Sequence, residues 1–222
     1  MKVSEALRQR KSTRAYSDRQ VEQETIMHIL EAAKHSPSGA NHQPWQVAVV
    51  SGAAKRELQE RIEQEFAAGR RGKMDYQYYP DIWPEPYKGR RIACGVQLYD
   101  ALAIARGDKQ RRLEQWAANY RGFDAPVILF FFLDTRLATG SFVDYGMFLQ
   151  SVMLMAVEEG LATCPQAALG EYPDIVRSFL GYDETCLLIC GLALGYEDTS
   201  APVNSYRTPR QPAADFTRFF ST

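Results

Sequence analysis

The sequence lacks the short motifs that mark the commonest nucleotide-binding and hydrolytic enzymes. Its 222 residues contain no GxGxxG after a strand, no GxxxxGK(S/T) loop, no GxSxG turn and no HExxH pair. Gly191 and Gly195 stand in GLALG, where the spacing is wrong and the surrounding run is apolar. Dinucleotide binding on a Rossmann turn, nucleoside triphosphate chemistry and nucleophilic hydrolysis therefore have no support in the sequence.

Cysteine and histidine are too scarce and too scattered to form a recognisable metal site. The four cysteines form no CxxC pair; they are Cys94, Cys164, Cys186 and Cys190. The three histidines are seven residues apart, at positions 28, 35 and 42, and Pro37 breaks any helix shared with the last of them. We therefore expect reduced, buried thiols, histidines at the surface or at helix ends, and no metal.

An excess of charge and a long apolar run are also missing. The chain has 26 Lys and Arg against 27 Asp and Glu, a net charge of −1, which is a poor match for a nucleic-acid partner. No run of 18 apolar residues exists, and the start, MKVSEALRQRKSTR, becomes charged too early for a signal peptide. We expect a soluble, cytoplasmic protein that binds no membrane. With 45% hydrophobic residues, residues 1–222 suffice for one domain.

Hydrophobic periodicity predicts helices around residues 26–33 and 58–66 and over residues 142–159. The first must end before Pro37, and Gly160 closes the third. The third is apolar on all sides, which predicts burial on more than one side and a dimer partner as the second surface. Continuous apolar runs at 45–50, 127–133 and 187–194 predict strands with both faces covered by helices. The pattern indicates one sheet between helices, in an α+β or α/β domain.

Two segments do not match a compact core. Residues 75–91, DYQYYPDIWPEPYKGRR, hold three prolines and five large aromatic residues, which predicts a long structured loop or lid. The tail, residues 197–222, is polar and interrupted by prolines but ends in Phe216, Phe219 and Phe220. We expect that this aromatic tail lies across another surface, such as that of a neighbouring subunit.

Three polar segments could carry chemistry. Arg8, Arg10, Lys11, Ser12 and Arg14 could clamp a phosphate, because guanidinium groups form bidentate, charge-assisted hydrogen bonds. The same residues also match a solvated basic helix end. The segments 36–45, SPSGANHQPW, and 162–168, ATCPQAA, are rich in small residues that let backbone N–H groups approach a ligand. Taken singly, they also match a turn and a helix-to-helix connection.

Taken together and in this order, RKSTR, SPSGANHQPW, GLATCPQAAL and the arginine of the tail resemble the FMN-dependent nitroreductases over essentially the whole chain. YYPDIWPEPYKGRR and NYRGFDAPVILFF are similar to the subgroup that acts on nitroaromatics. The resemblance implies a three-layer α+β fold with a central, mostly antiparallel sheet flanked by helices. It also implies an obligate, intertwined homodimer, with the tail wrapping the partner and FMN at the subunit interface.

The resemblance also implies a cofactor site. Arg10, Ser12 and Arg210 would hold the FMN phosphate, with Lys11 and Arg207 beside them, and Arg14 would face the N1–C2=O edge of the flavin. Pro165, Gln166, Ala167 and Ala168 would line the ring. The partner subunit would contribute Pro37, Ser38, Gly39 and Asn41. Many relatives have Glu-Gly in place of Ala167-Ala168, a change that a backbone contact tolerates, and Lys11 keeps the charge of the arginine or histidine common at its position.

The activity implied is reduction of nitroaromatic compounds and quinones by NADH or NADPH, in a ping-pong, two-electron cycle. No catalytic side chain is required, because the flavin carries the redox chemistry. The candidate substrate residues are aromatic and lie in or after the lid: Tyr79, Trp83, Tyr87, Tyr120 and Phe123. The alternatives are reductive dehalogenation, ene reduction or flavin fragmentation on the same scaffold, and a non-enzymatic flavin-binding protein. A surface loop packed for stability is the alternative for the lid.

Overall fold

Four β-strands form the centre of the chain in a computed structural model that describes residues 1–221. The strands are β1 (Gln46–Ser51), β2 (Val127–Asp134), β3 (Ala162–Gln166) and β4 (Cys186–Gly195). Their order in the sheet is β1-β2-β4-β3, and each neighbouring pair is antiparallel. The expectation of a mostly antiparallel sheet is confirmed.

Seven α-helices surround the sheet within the described residues. They are α1 (Val3–Gln9), α2 (Gln23–Ala33), α3 (Gly52–Ala67), α4 (Tyr87–Ala101), α5 (Lys109–Ala117), α6 (Ser141–Glu158) and α7 (Pro173–Leu180). The three helices predicted from periodicity correspond to α2, α3 and α6. Gly160 adopts φ 71° after the end of α6, a left-handed conformation that glycine tolerates best.

The side chains of β2 alternate between two cores, which gives the domain three layers. Leu129 and Phe131 point to the face covered by α2 and α6. Ile128 and Phe130 point to the opposite face, where side chains of α3 and α7 pack on them. Since successive residues of a strand point to opposite faces, one continuous apolar run serves both cores.

Two strands at the edges of the sheet differ from the sequence prediction. The prediction of two covered faces is wrong for β1, where Val49 is 43% exposed. The segment 162–168 was open to interpretation as a helix-to-helix connection, but its first five residues form β3. Pro165 does not prevent this strand, because β3 is an edge strand and one side of its backbone has no partner strand.

The proline-rich segment 75–91 is not a loop throughout. It is irregular up to Pro86 and becomes helical at Tyr87, where α4 begins. A helix that starts directly after the last proline keeps every proline out of its interior. None of the residues of α4 is buried in the single chain.

The tail is also irregular apart from short 3-10 turns at Pro202–Asn204 and Ala213–Asp215. Phe219 and Phe220 are each 91% exposed, so no surface of the same chain covers them. The last residue of the predicted tail, Thr222, lies outside the described residues. Within the described part of the chain, no helix has the length and apolar character needed to cross a membrane.

Candidate functional site

The basic segment near the N-terminus lies beside the edge strand β3. Ser12 forms a parallel bridge with Thr163. The backbone N–H of Thr13 donates to the carbonyl of Thr163 at 3.0 Å. This pairing extends the sheet by one short segment, and it brings RKSTR and ATCPQAA, which are about 150 residues apart in the sequence, to the same edge.

The tail returns to the same edge and is tied there by Asn204, which is 3% exposed. Its Oδ1 accepts from the N–H of Arg14 at 2.8 Å, and its Nδ2 donates to the carbonyl of Ala15 at 2.9 Å. Its own carbonyl accepts from Nζ of Lys11 at 2.5 Å. Arg207 adds a further link, because its Nη1 donates to the carbonyl of Arg10 at 3.1 Å.

A cavity of about 490 Å³ lies between the two chain ends, which is within the usual size range of small-molecule sites. It is lined by α1, the basic segment, α4, α6 and the tail, through Leu7, Arg8, Arg10, Lys11, Ser12, Arg14, Cys94, Gln150, Tyr206, Arg207, Thr208 and Arg210. We call it the arginine cavity. All six residues that the sequence assigned to the phosphate and the flavin edge line it.

The charge around the arginine cavity is unbalanced. None of its five arginines makes a salt bridge to a carboxylate within residues 1–221. Among the cations of the cavity, only Lys11 is paired within the described part of the chain, with Glu197 at 2.6 Å. The pKa of Arg10 is lowered by burial and then by the positive charges of Arg210 and Arg207. Guanidinium groups that repel one another in a half-buried site are stabilised by an anion.

An uncharged donor also points to a ligand in this cavity. The hydroxyl of Tyr206 is buried and has no hydrogen-bond partner within the described residues. Buried polar groups nearly always have a partner, so an unpartnered hydroxyl beside five arginines matches a ligand with several oxygen acceptors. The donor set therefore fits a phosphate-bearing cofactor.

Arg14 is held against an aromatic residue of unusual backbone conformation. Its guanidinium lies 5.8 Å from the centre of the Phe123 ring, and its Nη1 donates to the carbonyl of Ser12 at 3.3 Å. Phe123 has φ 53°, between Gly122 at 59° and Asp124 at 61°. Non-glycine residues in the left-handed region cost free energy, and such residues concentrate at functional sites.

The loop SPSGANHQPW packs on α6 and does not line the arginine cavity of its own chain. Ser36 and Ser151 share a hydrogen bond of 2.8 Å between their hydroxyls, and the N–H of Gly39 donates to Asp144 at 3.2 Å. Three of the loop's non-glycine residues have a left-handed backbone: Ala40, Asn41 and Gln43. The fold thus places this loop away from Arg10, although it keeps together the four residues predicted to serve the partner subunit: Pro37, Ser38, Gly39 and Asn41.

The segment from Pro165 to Ala168 lies at the end of β3, where a 3-10 turn begins at Ala167. Gln166 is buried, and its Nε2 donates to the carbonyl of Asn119 at 2.9 Å, while its Oε1 has no partner within the described residues. These four residues follow Thr163, which pairs with Ser12, but they do not line the arginine cavity itself.

The predicted substrate residues lie in three different environments. The rings of Tyr79 and Trp83 pack in a tilted arrangement with centres 5.4 Å apart in the irregular part of the lid, and Tyr87 is exposed at the start of α4. Phe123 is buried beside Arg14. Tyr120 is 1% exposed and lines a different cavity, described below.

Sequence reasoning missed Asn204, Tyr206 and Gln150, which tie or line the arginine cavity. Asn204 stands in SAPVNS and Tyr206 in NSYRT, where no recognisable motif surrounds them. Gln150, followed by Ser151, interrupts the apolar part of α6, which is the only local signal for it in the sequence.

The chain is thus an α+β protein with an arginine-rich cavity where its two ends meet at a sheet edge. The nitroreductase family model matches residues 7–196, and the chain belongs to this family.

Known relatives cover nearly the whole chain. It is 34% identical over 218 residues to a nitrobenzene nitroreductase of Ectopseudomonas oleovorans, covering 98% of this chain and 96% of the relative. It is 37% identical to a 4-nitrobenzoate reductase of Nocardioides sp. strain LMS-CY, covering 93% and 85% of the two chains. The crystal structure of the FMN and NADPH-dependent nitroreductase NfnB from Sphigopyxis sp. strain HMH superposes with a TM-score of 0.97, at 40% identity and with full coverage of both chains.

Proposed function

We propose that this protein is an FMN-dependent NAD(P)H oxidoreductase that reduces nitroaromatic compounds and quinones. The observation that carries the proposal is the arginine cavity, where five arginines meet from opposite ends of a chain of the nitroreductase family and have no carboxylate partner among residues 1–221. The names of its relatives, which include a nitrobenzene nitroreductase and an FMN and NADPH-dependent nitroreductase, support the cofactor and the substrate class.

Different residues of the arginine cavity have different roles in binding the cofactor. Arg10, Ser12 and Arg210 bind the phosphate, since guanidinium and hydroxyl donors form charge-assisted hydrogen bonds with phosphate oxygens. Arg207 donates a hydrogen bond to the carbonyl of Arg10 and so helps to position that residue. Lys11 keeps the tail in place through Glu197, so its charge is already balanced before any ligand binds.

Arg14 provides a positive charge to the pyrimidine edge of the ring. When bound, FMN supplies hydride acceptance and donation between NAD(P)H and the acceptor. A fixed cation at the edge where negative charge develops favours the reduced cofactor. Pro165, Gln166, Ala167 and Ala168 line the ring through their backbone, and small side chains at the last two positions allow close approach.

A homodimer forms part of this proposal. The loop containing Pro37, Ser38, Gly39 and Asn41 is outside the arginine cavity of its own chain, which is expected if it serves the partner's cavity. The unburied helix α4 and the exposed Phe219 and Phe220 support an additional covering surface. We expect the dimer in the cytoplasm, where NAD(P)H is available. Light scattering that gives a stable 25.2 kDa species at micromolar concentration would contradict it.

The aromatic lid forms the wall of the acceptor site in this proposal. Tyr79 and Trp83 present two aromatic rings in contact, with their planes tilted by 47°, and aromatic walls suit flat aromatic acceptors. Replacing Trp83 with Leu is expected to raise KM for a nitroarene several-fold with a smaller change in KM for NADPH. An equal change in both constants would indicate that Trp83 only stabilises the fold.

The main experiment measures cofactor and activity on the same purified protein. We expect a yellow protein with a flavin absorbance band, and oxidation of NADPH or NADH that depends on added nitrobenzene or a quinone. Initial rates with both substrates varied should give parallel double-reciprocal lines, the pattern of a ping-pong cycle. A colourless protein that takes up no added FMN would end the proposal, and a yellow protein without acceptor-dependent turnover would leave only flavin binding.

A further inference from the structure

A second cavity, of about 550 Å³, lies between α5, the end of α3 and the segment before α7. It is lined by Phe66, Arg71, Gly72, Lys109, Arg112, Leu113, Trp116, Tyr120, Glu171 and Tyr172. We call it the α5 cavity. It shares no lining residue with the arginine cavity, so the cofactor site already described does not account for it.

The walls of the α5 cavity are aromatic and aliphatic. Trp116 is 46% exposed and Leu113 is 53% exposed, although both are large apolar side chains. Phe66 and Tyr172 lie behind them, with their ring centres 5.0 Å and 5.5 Å from that of Tyr120. Large apolar side chains exposed within a concavity favour a flat ligand with extensive apolar surface.

The base of the α5 cavity is a short chain of hydrogen bonds. The Nε1 of Trp116 donates to the hydroxyl of Tyr120 at 3.1 Å, and this hydroxyl donates to Oε2 of Glu171 at 2.6 Å. The other carboxylate oxygen of Glu171 accepts no hydrogen bond within residues 1–221. It can therefore accept one from an N–H or O–H group of a ligand.

The rim of the α5 cavity carries three cations. Arg71, Lys109 and Arg112 make no salt bridge within the described residues. Arg112 is nevertheless held in place, because it lies over the ring of Tyr99 at 4.4 Å and donates to the carbonyl of Arg106 at 3.2 Å. Three unpaired cations above an aromatic wall attract an anionic group.

The loop that carries Arg71 is packed directly against the base. A Cβ at Gly72 would lie 1.7 Å from the carbonyl oxygen of Glu171 and 2.9 Å from the Tyr172 ring. The hydroxyl of Tyr172 donates to the carbonyl of Arg70 at 3.0 Å. The absence of a side chain at Gly72 thus allows the loop to close one side of the cavity and holds the neighbouring Arg71 at the rim.

We propose that the α5 cavity is a second small-molecule site, which binds a flat aromatic ligand with an anionic group at one end and a hydrogen-bond donor at the other. The ring lies against Trp116 and Leu113, and the anion faces Lys109 and Arg112. The donor faces the free carboxylate oxygen of Glu171. The proposal goes beyond the reductase function and does not depend on it.

Calorimetric titration of the purified full-length protein with 6-amino-2-naphthoate tests this site. Excess FMN in both solutions keeps the arginine cavity occupied. We expect saturable binding, with about tenfold higher affinity for the carboxylate than for the neutral 6-amino-2-naphthamide, a ratio that corresponds to about 1.4 kcal/mol. No turnover is involved, so a negative result here is distinct from the absence of reductase activity.

Two sets of variants locate the ligand. The double variant Lys109→Gln/Arg112→Gln should lose about tenfold in affinity for the naphthoate, and Trp116→Leu should weaken both compounds. Arg56→Gln removes an exposed arginine of α3 that also lacks a salt bridge, and it should change neither affinity. Absence of saturable binding, equal affinity for the two compounds, or unchanged affinity in both the double variant and Trp116→Leu would each overturn the proposal.

Discussion

The side-chain oxygen of Asn204 accepts a hydrogen bond from the backbone N–H of Arg14 at 2.8 Å, across 190 positions of sequence. The same side chain donates to the carbonyls of Ala15 and Asp198, at 2.9 Å each. Asn204 is buried, and the N–H of Arg14 has no other hydrogen-bond partner within the described residues. The position of Arg14, and with it the proposed flavin edge, therefore depends on the tail.

Replacing Asn204 with Ala should weaken both the fold and cofactor binding. The part-buried N–H of Arg14 loses its partner, and the carbonyls of Ala15 and Asp198 each lose one of two hydrogen bonds, so we expect the free energy of unfolding to fall by about 1–3 kcal/mol. We also expect faster release of FMN, because the segment from Arg10 to Arg14 is no longer tied. Urea unfolding and dialysis against FMN-free buffer measure the two effects. Gln20→Ala removes an exposed amide with one local hydrogen bond and should change neither.

Replacing Arg14 with Ala should lower the midpoint potential of bound FMN. Loss of the cation removes stabilisation of the negative charge on the reduced ring, and reduction by NADPH should slow by about a hundredfold. Arg14→Lys should recover part of the potential. Arg19→Ala is the matched control, because Arg19 lies over the ring of Tyr196 at 3.8 Å and does not line the arginine cavity. An unchanged potential in Arg14→Ala would show that Arg14 is not at the flavin edge.

Replacing Arg210 with Gln should lower the affinity for FMN without lowering the free energy of unfolding of the FMN-free protein. Arg210 repels Arg10 in the ligand-free protein, since its charge lowers the pKa of that residue. Its removal should leave the unfolding free energy of the FMN-free protein unchanged or higher. The affinity for FMN should fall about tenfold to a hundredfold, as expected for a hydrogen bond between charged groups.

A salt titration refines the test of Arg210. The difference in FMN affinity between wild type and Arg210→Gln should shrink as salt is raised, because screening weakens the contribution of an exposed cation. Arg218→Gln, in the same tail but outside the cavity, should behave as wild type in both measurements. Parallel losses of affinity and stability in Arg210→Gln would instead indicate a structural role.

Replacing Glu171 with Gln should change the pH dependence of stability. Burial raises the pKa of Glu171, with smaller opposing effects of the Tyr120 hydrogen bond and of Arg71. The folded protein thus binds its proton more tightly than the unfolded chain. The contribution of Glu171 to stability is therefore greatest below its unfolded pKa, about 4.3, and is lost as pH rises through the higher folded value.

Urea unfolding between pH 3 and 8 measures this effect as a difference between variant and wild type. We expect Glu171→Gln to become more stable relative to wild type as pH rises, since the glutamine keeps an acceptor for Tyr120. Glu65→Gln is the opposite control, because pairing with Arg70 lowers the pKa of Glu65. Its stability relative to wild type should fall as pH rises towards the unfolded pKa, about 4.3, and should stay constant above it. A constant difference for Glu171→Gln would contradict the inferred shift.

Local patterns in the sequence were sufficient for most of the architecture. Periodic apolar residues predicted α2, α3 and α6, and continuous apolar runs predicted β1, β2 and β4, because these signals depend only on neighbours along the chain. The sequence also marks both ends of helix α7, because Pro173 stands in its first turn and Gly181, at φ 75°, follows its last residue. Strand β3 was missed because Pro165 argues against a strand unless its place at the sheet edge is known.

The candidate site was predicted in part. The cluster from Arg10 to Arg14 is visible as a local motif, and its link to Arg210 came from the family resemblance. Asn204 and Tyr206 have no local signal in the sequence. Their importance depends on residues that become their neighbours only when the chain folds. The α5 cavity was not foreseen for the same reason, since Arg71, Lys109 and Glu171 lie in three separate segments.

By itself, the sequence determined the two cores, the basic segment and the family of this protein. Each of these depends on residues that are close together in the sequence or that follow one another in a fixed order. Only the tertiary structure decided that the arginines of both chain ends face one cavity, with no carboxylate partner in the part of the chain that the structure describes. It alone decided that Asn204 holds Arg14 and that Tyr120 belongs to a different cavity. Charge balance and burial are properties of neighbours in space, and the pairing of Ser12 with Thr163 brings such neighbours together from distant parts of the chain.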